Sequence, residues 1–314
     1  MTESAPLAPP APAPLAPAPL APVVAYSGEP GAFAEDAVRA YFGESTPTLA
    51  VGGFRGVFEA VAGGRVAGHR AAAGGRAVAG VVPIENVVNG TVRENYDLLL
   101  EFPVEIRGEV VVPVRLCLAA LPGETLDGIE RVYSHVQALG QADAYLRTRP
   151  WTLLTTYNTA GAGKAIAERG ERGAAAILSP RAAALFGLSV LADGIQGDPD
   201  NRTRFLVVAP PGAALPAALP AAEDPSGASR TTLVMGIRNE PGALLRAMTV
   251  FADHDLNMSK IESRPEHERP WEYVFWVDLD ADASALAVRE ALHDLAGVTT
   301  SLRVLGSYPR GAGG

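Results

Sequence analysis

From residue 23 onward, short apolar runs ending at glycine, proline or a polar turn alternate with longer stretches whose apolar positions recur three and four apart. The run at 23–26 leads through the turn Ser27-Gly28-Glu29-Pro30-Gly31 into a helical pattern at 32–42. Further strand patterns are expected at 78–83, 105–120 (one or two strands), 131–134, 151–156, 174–178 and 205–209. Helical patterns fall at 92–100, 136–146, 161–169 and 180–186. Strands alternating with helices imply a mainly parallel α/β sheet, whose ligands gather at the carboxyl ends of the strands.

The periodicity then lapses. Residues 210–229 are rich in Pro, Ala and Gly and read as a linker. Beyond it the order is strand 231–238, helix 242–253, strands 256–264 and 273–279, helix 284–295 and strand 300–305. This βαββαβ order predicts an α+β ferredoxin-like module over 230–308, with two helices on one face of a four-stranded sheet. The catalytic-size unit before the linker spans 23–209. The first 22 residues are an Ala/Pro/Leu repeat without a basic start, read as a disordered, partly polyproline II tail and not as a membrane or signal helix.

Composition narrows the function. A chain of 314 residues with 48% apolar and 19% charged residues is an ordinary soluble protein of two or three units. A net charge of −9 argues against general nucleic-acid binding. Lysine occurs only at Lys164 and Lys260, so arginine carries the positive charge, which favours bidentate carboxylate contacts. The single Cys117 sits in an apolar run and reads as a small buried hydrophobe; the histidines show no local zinc pattern. No metal, no cofactor, no membrane and a cytoplasmic setting are expected.

Four polar groups carry candidate chemistry. Glu85 and Asn86 directly follow the strand at 78–83 and fit either a pocket or a polar turn. Ser134 ends another strand and can cap the next helix, with Gln141 two turns on along the same face. The segment 157–164, with Asn158 and Thr159, is Gly-rich before a helix. It fails the nucleotide-loop patterns and suits a carboxylate cradle. The run Asn201-Arg202-Thr203-Arg204-Phe205 places a hydroxyl between two guanidiniums beside an apolar strand, which surface polarity alone does not explain.

Taken in order, the motifs at 28–35, 83–92, 134–141, 158–162 and 201–205 resemble those of the prephenate dehydratases. The stretch 239–244, Asn257 and Glu262-Ser263-Arg264-Pro265 resembles the ACT domain that follows in that family. The chain departs from the pattern at Ala32, Ala34, Val87 and Val136. The resemblance implies a two-lobed, periplasmic-binding-protein-like catalytic unit followed by the ferredoxin-like ACT domain. It implies decarboxylating dehydration of prephenate to phenylpyruvate, feedback inhibition by phenylalanine and a homodimer or homotetramer. It assigns catalysis to Thr203, Asn86, Ser134, Gln141 and Arg204, and substrate binding to Gly31, Glu85, Asn158, Thr159 and Phe205. It assigns effector binding to Asn239, Gly242, Ala243, Leu244, Asn257, Glu262, Ser263, Arg264 and Pro265. Arg204 is expected to hold the pyruvyl carboxylate or the Thr203 hydroxyl, and the segment 262–265 to close as a loop over the effector. An arogenate dehydratase and a non-catalytic binding protein are the competing readings.

Overall fold

The computed structural model describes residues 22–63, 77–265 and 273–313; the expected Ala/Pro tail lies outside them up to position 21. The first lobe contains β1 (Val24–Ser27), α1 (Phe33–Phe42), β2 (Thr48–Val51), α2 (Gly53–Ala62), β3 (Ala79–Asn86), β4 (Gly90–Thr91), α3 (Arg93–Glu101) and β5 (Glu105–Pro113). The second contains β6 (Cys117–Ala120), β7 (Arg131–Ser134), α4 (Val136–Gln141), α5 (Asp143–Leu146), β8 (Thr152–Thr155), α6 (Thr159–Arg169), β9 (Ala174–Leu178), α7 (Pro180–Leu185) and β10 (Ser189–Asp193). The chain then returns to the first sheet as β11 (Arg202–Ala209). The sheet orders are β2-β1-β3-β11-β5, with β4 on β3, and β10-β6-β9-β7-β8.

Both sheets are mixed, not mainly parallel as expected. The βαβ units make β2, β1 and β3 parallel, but the returning β11 runs antiparallel to β3 and β5. The two crossings between lobes are tied together: Val114 N donates to Asn201 O at 2.8 Å and Ile195 N to Leu116 O at 3.0 Å. The helix expected at 136–146 breaks at Ala142 into α4 and α5. The segment read as a linker packs as a strap: Leu219 N donates to Tyr41 O at 2.7 Å and Ala222 is buried against α1. Cys117 is buried, as its apolar setting implied.

The C-terminal module has β12 (Ser229–Ile237), α8 (Ala243–Asp253), β13 (Met258–Pro265), β14 (Tyr273–Leu279), α9 (Leu286–Val298) and β15 (Ser301–Pro309), in the sheet order β13-β14-β12-β15. Alternation decides its two faces. Leu233, Met235, Ile237 and Val277 pack under α8 and α9. Val234, Trp276, Leu305 and Tyr308 instead join the core of the first lobe. Trp276 meets Tyr96 of α3 edge-on, ring centroids 4.7 Å apart. A Cβ at Gly306 would lie 2.1 Å from Ile106 O, so only glycine lets β15 cross β5 so closely. The face that the module's own helices leave open is thus covered by the catalytic unit.

Candidate active site

The polar motifs converge because they follow the carboxyl ends of parallel strands in both lobes: β1 and β3 in the first, β7, β8 and β9 in the second. These ends touch across the lobes. Ser179 Oγ donates to Gly31 O at 2.9 Å, and Tyr157 Oη and Lys164 Nζ reach the Glu29 carboxylate at 3.1 and 2.9 Å. Gly31 has φ +86°, and a Cβ there would lie 2.8 Å from the Ala182 Cα, so the contact requires glycine twice over.

Strands β3 and β11 carry the centre. Their register pairs Thr203 with Asn86 and Arg204 with Glu85, then shifts by one residue before Phe205 meets Pro83. Ile84, the residue skipped, stays in the core at 2% exposure. The bulge puts Asn86 in phase with Thr203 on one face, and Glu85 with Arg204 on the other.

On the first face, Asn86 Nδ2 donates to Asn201 Oδ1 at 2.8 Å, Arg202 O at 2.9 Å and Thr203 Oγ1 at 3.0 Å. Its Oδ1 accepts from Val88 N at 3.1 Å and Asn89 N at 2.8 Å, which fixes the turn that follows. The Thr203 oxygen therefore takes a hydrogen bond while its own proton has no acceptor among the described residues. Asn201 is 1% exposed, and its Nδ2 has no partner among the described residues. Sequence reasoning included Asn201 only as part of a motif; a buried amide beside the hydroxyl is a feature of the fold.

The other candidates fall in four places. Gln141 ends α4 and its carbonyl accepts from Gly197 N at 2.8 Å, placing it at the crossing between lobes. Asn158 caps α6 by accepting from Gly161 N at 2.5 Å, and Thr159 is the first residue of that helix. Ser134 does not cap α4. His135 does so through Nδ1, 3.3 Å from Gln137 N, while the buried Ser134 Oγ donates to Ile177 O at 2.6 Å. Phe205 is a core residue at 2% exposure, two positions along the strand from Thr203.

Arg204 sits elsewhere than expected. Its guanidinium meets Glu85 Oε2 at 3.1 Å, Glu109 Oε2 at 3.2 Å and Asp278 Oδ2 at 2.9 Å, on the face turned away from Thr203. Arg230 Nη1 lies 2.6 Å from Glu109 Oε2, and Lys260 Nζ 2.9 Å from Glu85 Oε2. Burial disfavours the Arg204 charge, but Asp278 and Glu109 outweigh that and hold its pKa above the ordinary value. Burial likewise opposes ionisation of Glu85, and Lys260 with Arg204 outweighs it and lowers the carboxyl. A cavity of about 460 Å³ lies along this seam, lined by Asn86, Arg202, Arg204, Arg230, Lys260 and Asp278 among others. Glu109 and Asp278 were missed; the available signal was a carboxylate adjoining each of the apolar runs 110–112 and 274–277.

In the module, Gly242 caps α8 at φ +78°, a left-handed position suited to glycine. Asn239 and Leu244 are exposed, Ala243 is buried, and Asn257 Nδ2 donates to Asp280 Oδ2 at 2.7 Å. Residues 262–265 are the end of strand β13 and not a loop. Ser263 and Pro265 face outward, while Glu262 and Arg264 turn toward the catalytic unit.

The family model for prephenate dehydratase matches residues 24–213, and the ACT domain model matches residues 231–297. The chain is 36% identical over 288 residues to a bifunctional chorismate mutase/prephenate dehydratase of Aquifex aeolicus, covering 91% of this chain and 73% of that one. It is 37% identical over 295 residues to arogenate dehydratase/prephenate dehydratase 2 of Arabidopsis thaliana, covering 91% and 72%. Among solved structures, prephenate dehydratase from Arthrobacter aurescens in complex with L-Phe superposes with TM-score 0.77 at 31% identity, covering 92% and 90%. A chain described as GqqA, a novel type of quorum quenching acylase, gives TM-score 0.78 at 28% identity, covering 92% and 98%. On these matches the chain belongs to the prephenate dehydratase family: it is a lyase with a two-lobed catalytic unit and a C-terminal ACT domain.

Proposed function

We propose that the chain converts prephenate to phenylpyruvate, with Thr203 as the group that assists departure of the ring hydroxyl. The supporting observation is the 3.0 Å bond from Asn86 Nδ2 to Thr203 Oγ1. A donor on the oxygen polarises the O–H outward and makes it a better donor to the substrate. In the reaction the bond from the ring to its carboxylate breaks and CO2 leaves. The electron pair enters the ring, the carbon–oxygen bond breaks, and the hydroxyl departs with one proton as water. Thr203 supplies or shares that proton and recovers it from solvent. Aromatisation provides the driving force, so the site needs orientation more than a strong acid.

Gln141 at the crossing between lobes, with Asn158, Thr159 and Gly31 beside the facing strand ends, is proposed to orient the substrate; Ser134 is proposed to act by fixing the end of β7. Arg204 and Phe205 support the site from the sheet and do not touch substrate. A guanidinium on the ring carboxylate would stabilise the ground state and oppose its loss. The placement of Arg204 away from Thr203 agrees with that constraint.

Phenylalanine is proposed as a feedback inhibitor. The turn 239–244, Asn257 and the outward Ser263 would receive it, between ACT domains paired in a homodimer or homotetramer. The test is phenylpyruvate formation from prephenate by purified protein, with and without phenylalanine, beside Thr203→Ala. Thr203→Ala is expected to lose kcat by roughly 10²–10⁴. A fully active variant removes Thr203 from the mechanism. Turnover of arogenate in preference to prephenate would replace the substrate while keeping the site.

A further inference from the structure

Three alternate residues of one ACT strand grip one segment of the catalytic unit. On β13, Lys260 Nζ lies 2.9 Å from Glu85 Oε2, Glu262 Oε2 accepts from Thr91 Oγ1 at 3.1 Å, and Arg264 Nη2 donates to both oxygens of Asp97 at 3.0 and 2.7 Å. Alternation requires all three to share a face, and their half-burial against exposed Ser259, Ile261 and Ser263 agrees. The segment they hold, residues 85–97, contains Asn86, the turn ordered by Asn86 Oδ1, and β4. The grip falls on both sides of that turn: Glu85 immediately precedes Asn86, and Thr91 pairs with Glu85 across β4.

We infer that Lys260, Glu262 and Arg264 are positioning residues for catalysis: strand β13 of the ACT domain sets the placement of Asn86, and through it the Thr203 hydroxyl. This rests on the assignment of Asn86 and Thr203 to the chemistry. It differs from a role confined to effector binding, because it requires the grip to matter with no effector present. A segment freed at one end lets Asn86 drift from the Thr203 oxygen, and small misplacements of a catalytic group cost rate without costing substrate affinity. The same strand offers its opposite face to the outward Ser263, so an effector bound there would act on Asn86 through a single element.

The experiment uses the full chain with Asp97→Asn and Thr91→Val combined, substitutions outside both the catalytic candidates and the effector motif. Without phenylalanine, kcat is expected to fall about tenfold with KM within about twofold. Amide exchange at Val88 and Asn89 is expected to rise about tenfold while that of β1 holds. Asp97→Glu, which keeps a carboxylate for Arg264, is expected to retain kcat within about twofold. An unchanged kcat or unchanged exchange in the double variant overturns the inference. Phenylalanine is then added to both proteins. Inhibition of the unaltered enzyme that is weakened in the double variant, with the thermal shift by phenylalanine retained, extends the grip to regulation. A wild type that phenylalanine does not slow removes the feedback reading, and the inference still stands or falls on the phenylalanine-free kcat and exchange. A fully active Thr203→Ala in the same assay removes the catalytic assignment on which it rests.

Discussion

Asn86→Asp isolates the contact on which the proposed chemistry depends. The substitution keeps Oδ1, and so keeps the bonds from Val88 N at 3.1 Å and Asn89 N at 2.8 Å that shape the turn. It replaces the donor Nδ2 with an oxygen facing three other oxygens, at 2.8, 2.9 and 3.0 Å. Losing a polarising bond on a reactive hydroxyl and adding a repelling charge is expected to cost roughly 2–3 kcal/mol in the transition state, or about 100-fold in kcat at pH 8. The position is 8% exposed, so burial and the three facing acceptors both raise the introduced carboxyl above its ordinary value. Protonation then restores one donor. The sign follows: the deficit is largest where the carboxyl is ionised and shrinks as pH falls through its raised pKa. The assay is kcat for phenylpyruvate from pH 5.5 to 8.5, with an enzyme-free blank and the unaltered enzyme in parallel. The ratio of wild-type to variant kcat is expected to narrow at least about fivefold on acidification, whereas Thr203→Val, which cannot recover a donor, shows no narrowing. A variant equal to wild type at pH 8, or a ratio flat across the range, refutes the polarising role of Asn86.

Three further outcomes are expected. Arg204→Met leaves Asp278, 8% exposed at its side chain, without a cation among the described residues, while the fully buried Glu109 keeps Arg230; the loss is expected near 3–5 kcal/mol, a drop in Tm of about 6–15 °C by thermal scanning, and a Tm within about 2 °C of wild type would dismiss the hub. Asp36 is pushed up from 3.8 to about 6 by burial, which outweighs the Arg181 guanidinium 3.5 Å away. Its ionisation therefore weakens the fold as pH rises through that interval, a penalty of at most about 3 kcal/mol that the Arg181 pair already partly offsets. Asp36→Asn is thus expected to raise Tm by a few degrees at pH 8 and to leave it unchanged near pH 4; an equal gain at both would show that packing, not charge, is responsible. Burial pushes the Cys117 thiol up to about 12, so a thiol reagent at pH 8 is expected to label it only after denaturation, as mass spectrometry would report.

Local pattern carried most of the elements because β1, β9 and the 205–209 part of β11 are apolar runs and the module's strands are separated by clear helical periods. Helix α2 was not legible. Glycines at 53 and 56 lower its helix propensity, yet Phe54, Val57, Phe58 and Val61 form one apolar face that tertiary packing rewards. Strands β2 and β10 are short edges without alternation strong enough to stand alone. The motifs single out Asn86 and Thr203 but do not place them relative to one another, since their contact spans 117 positions and depends on a strand pairing that no residue pattern announces. Alternation alone separates Arg204 from the role the resemblance implied for it beside Thr203: neighbours on a strand face opposite ways.

That opposition ties the domain junction to the chemistry. Each residue of the Asn86–Thr203 pair has, as its immediate neighbour on the other face, a member of the Glu85–Arg204 pair that binds the ACT sheet through Lys260 and Asp278. A change that moved the C-terminal sheet by a fraction of a strand spacing would have to break those buried ion pairs or carry β3 and β11 with it. Breaking them is costly, because the side chains of Arg204 and Asp278 are 12% and 8% exposed. Carrying the strands keeps those pairs and displaces Asn86 and Thr203 together. The seam therefore favours transmission of a module movement to the hydroxyl over its absorption at the junction. It also predicts that weakening the seam at Asp278, by lowering the cost of the first route, loosens the link between the module and kcat without touching either site.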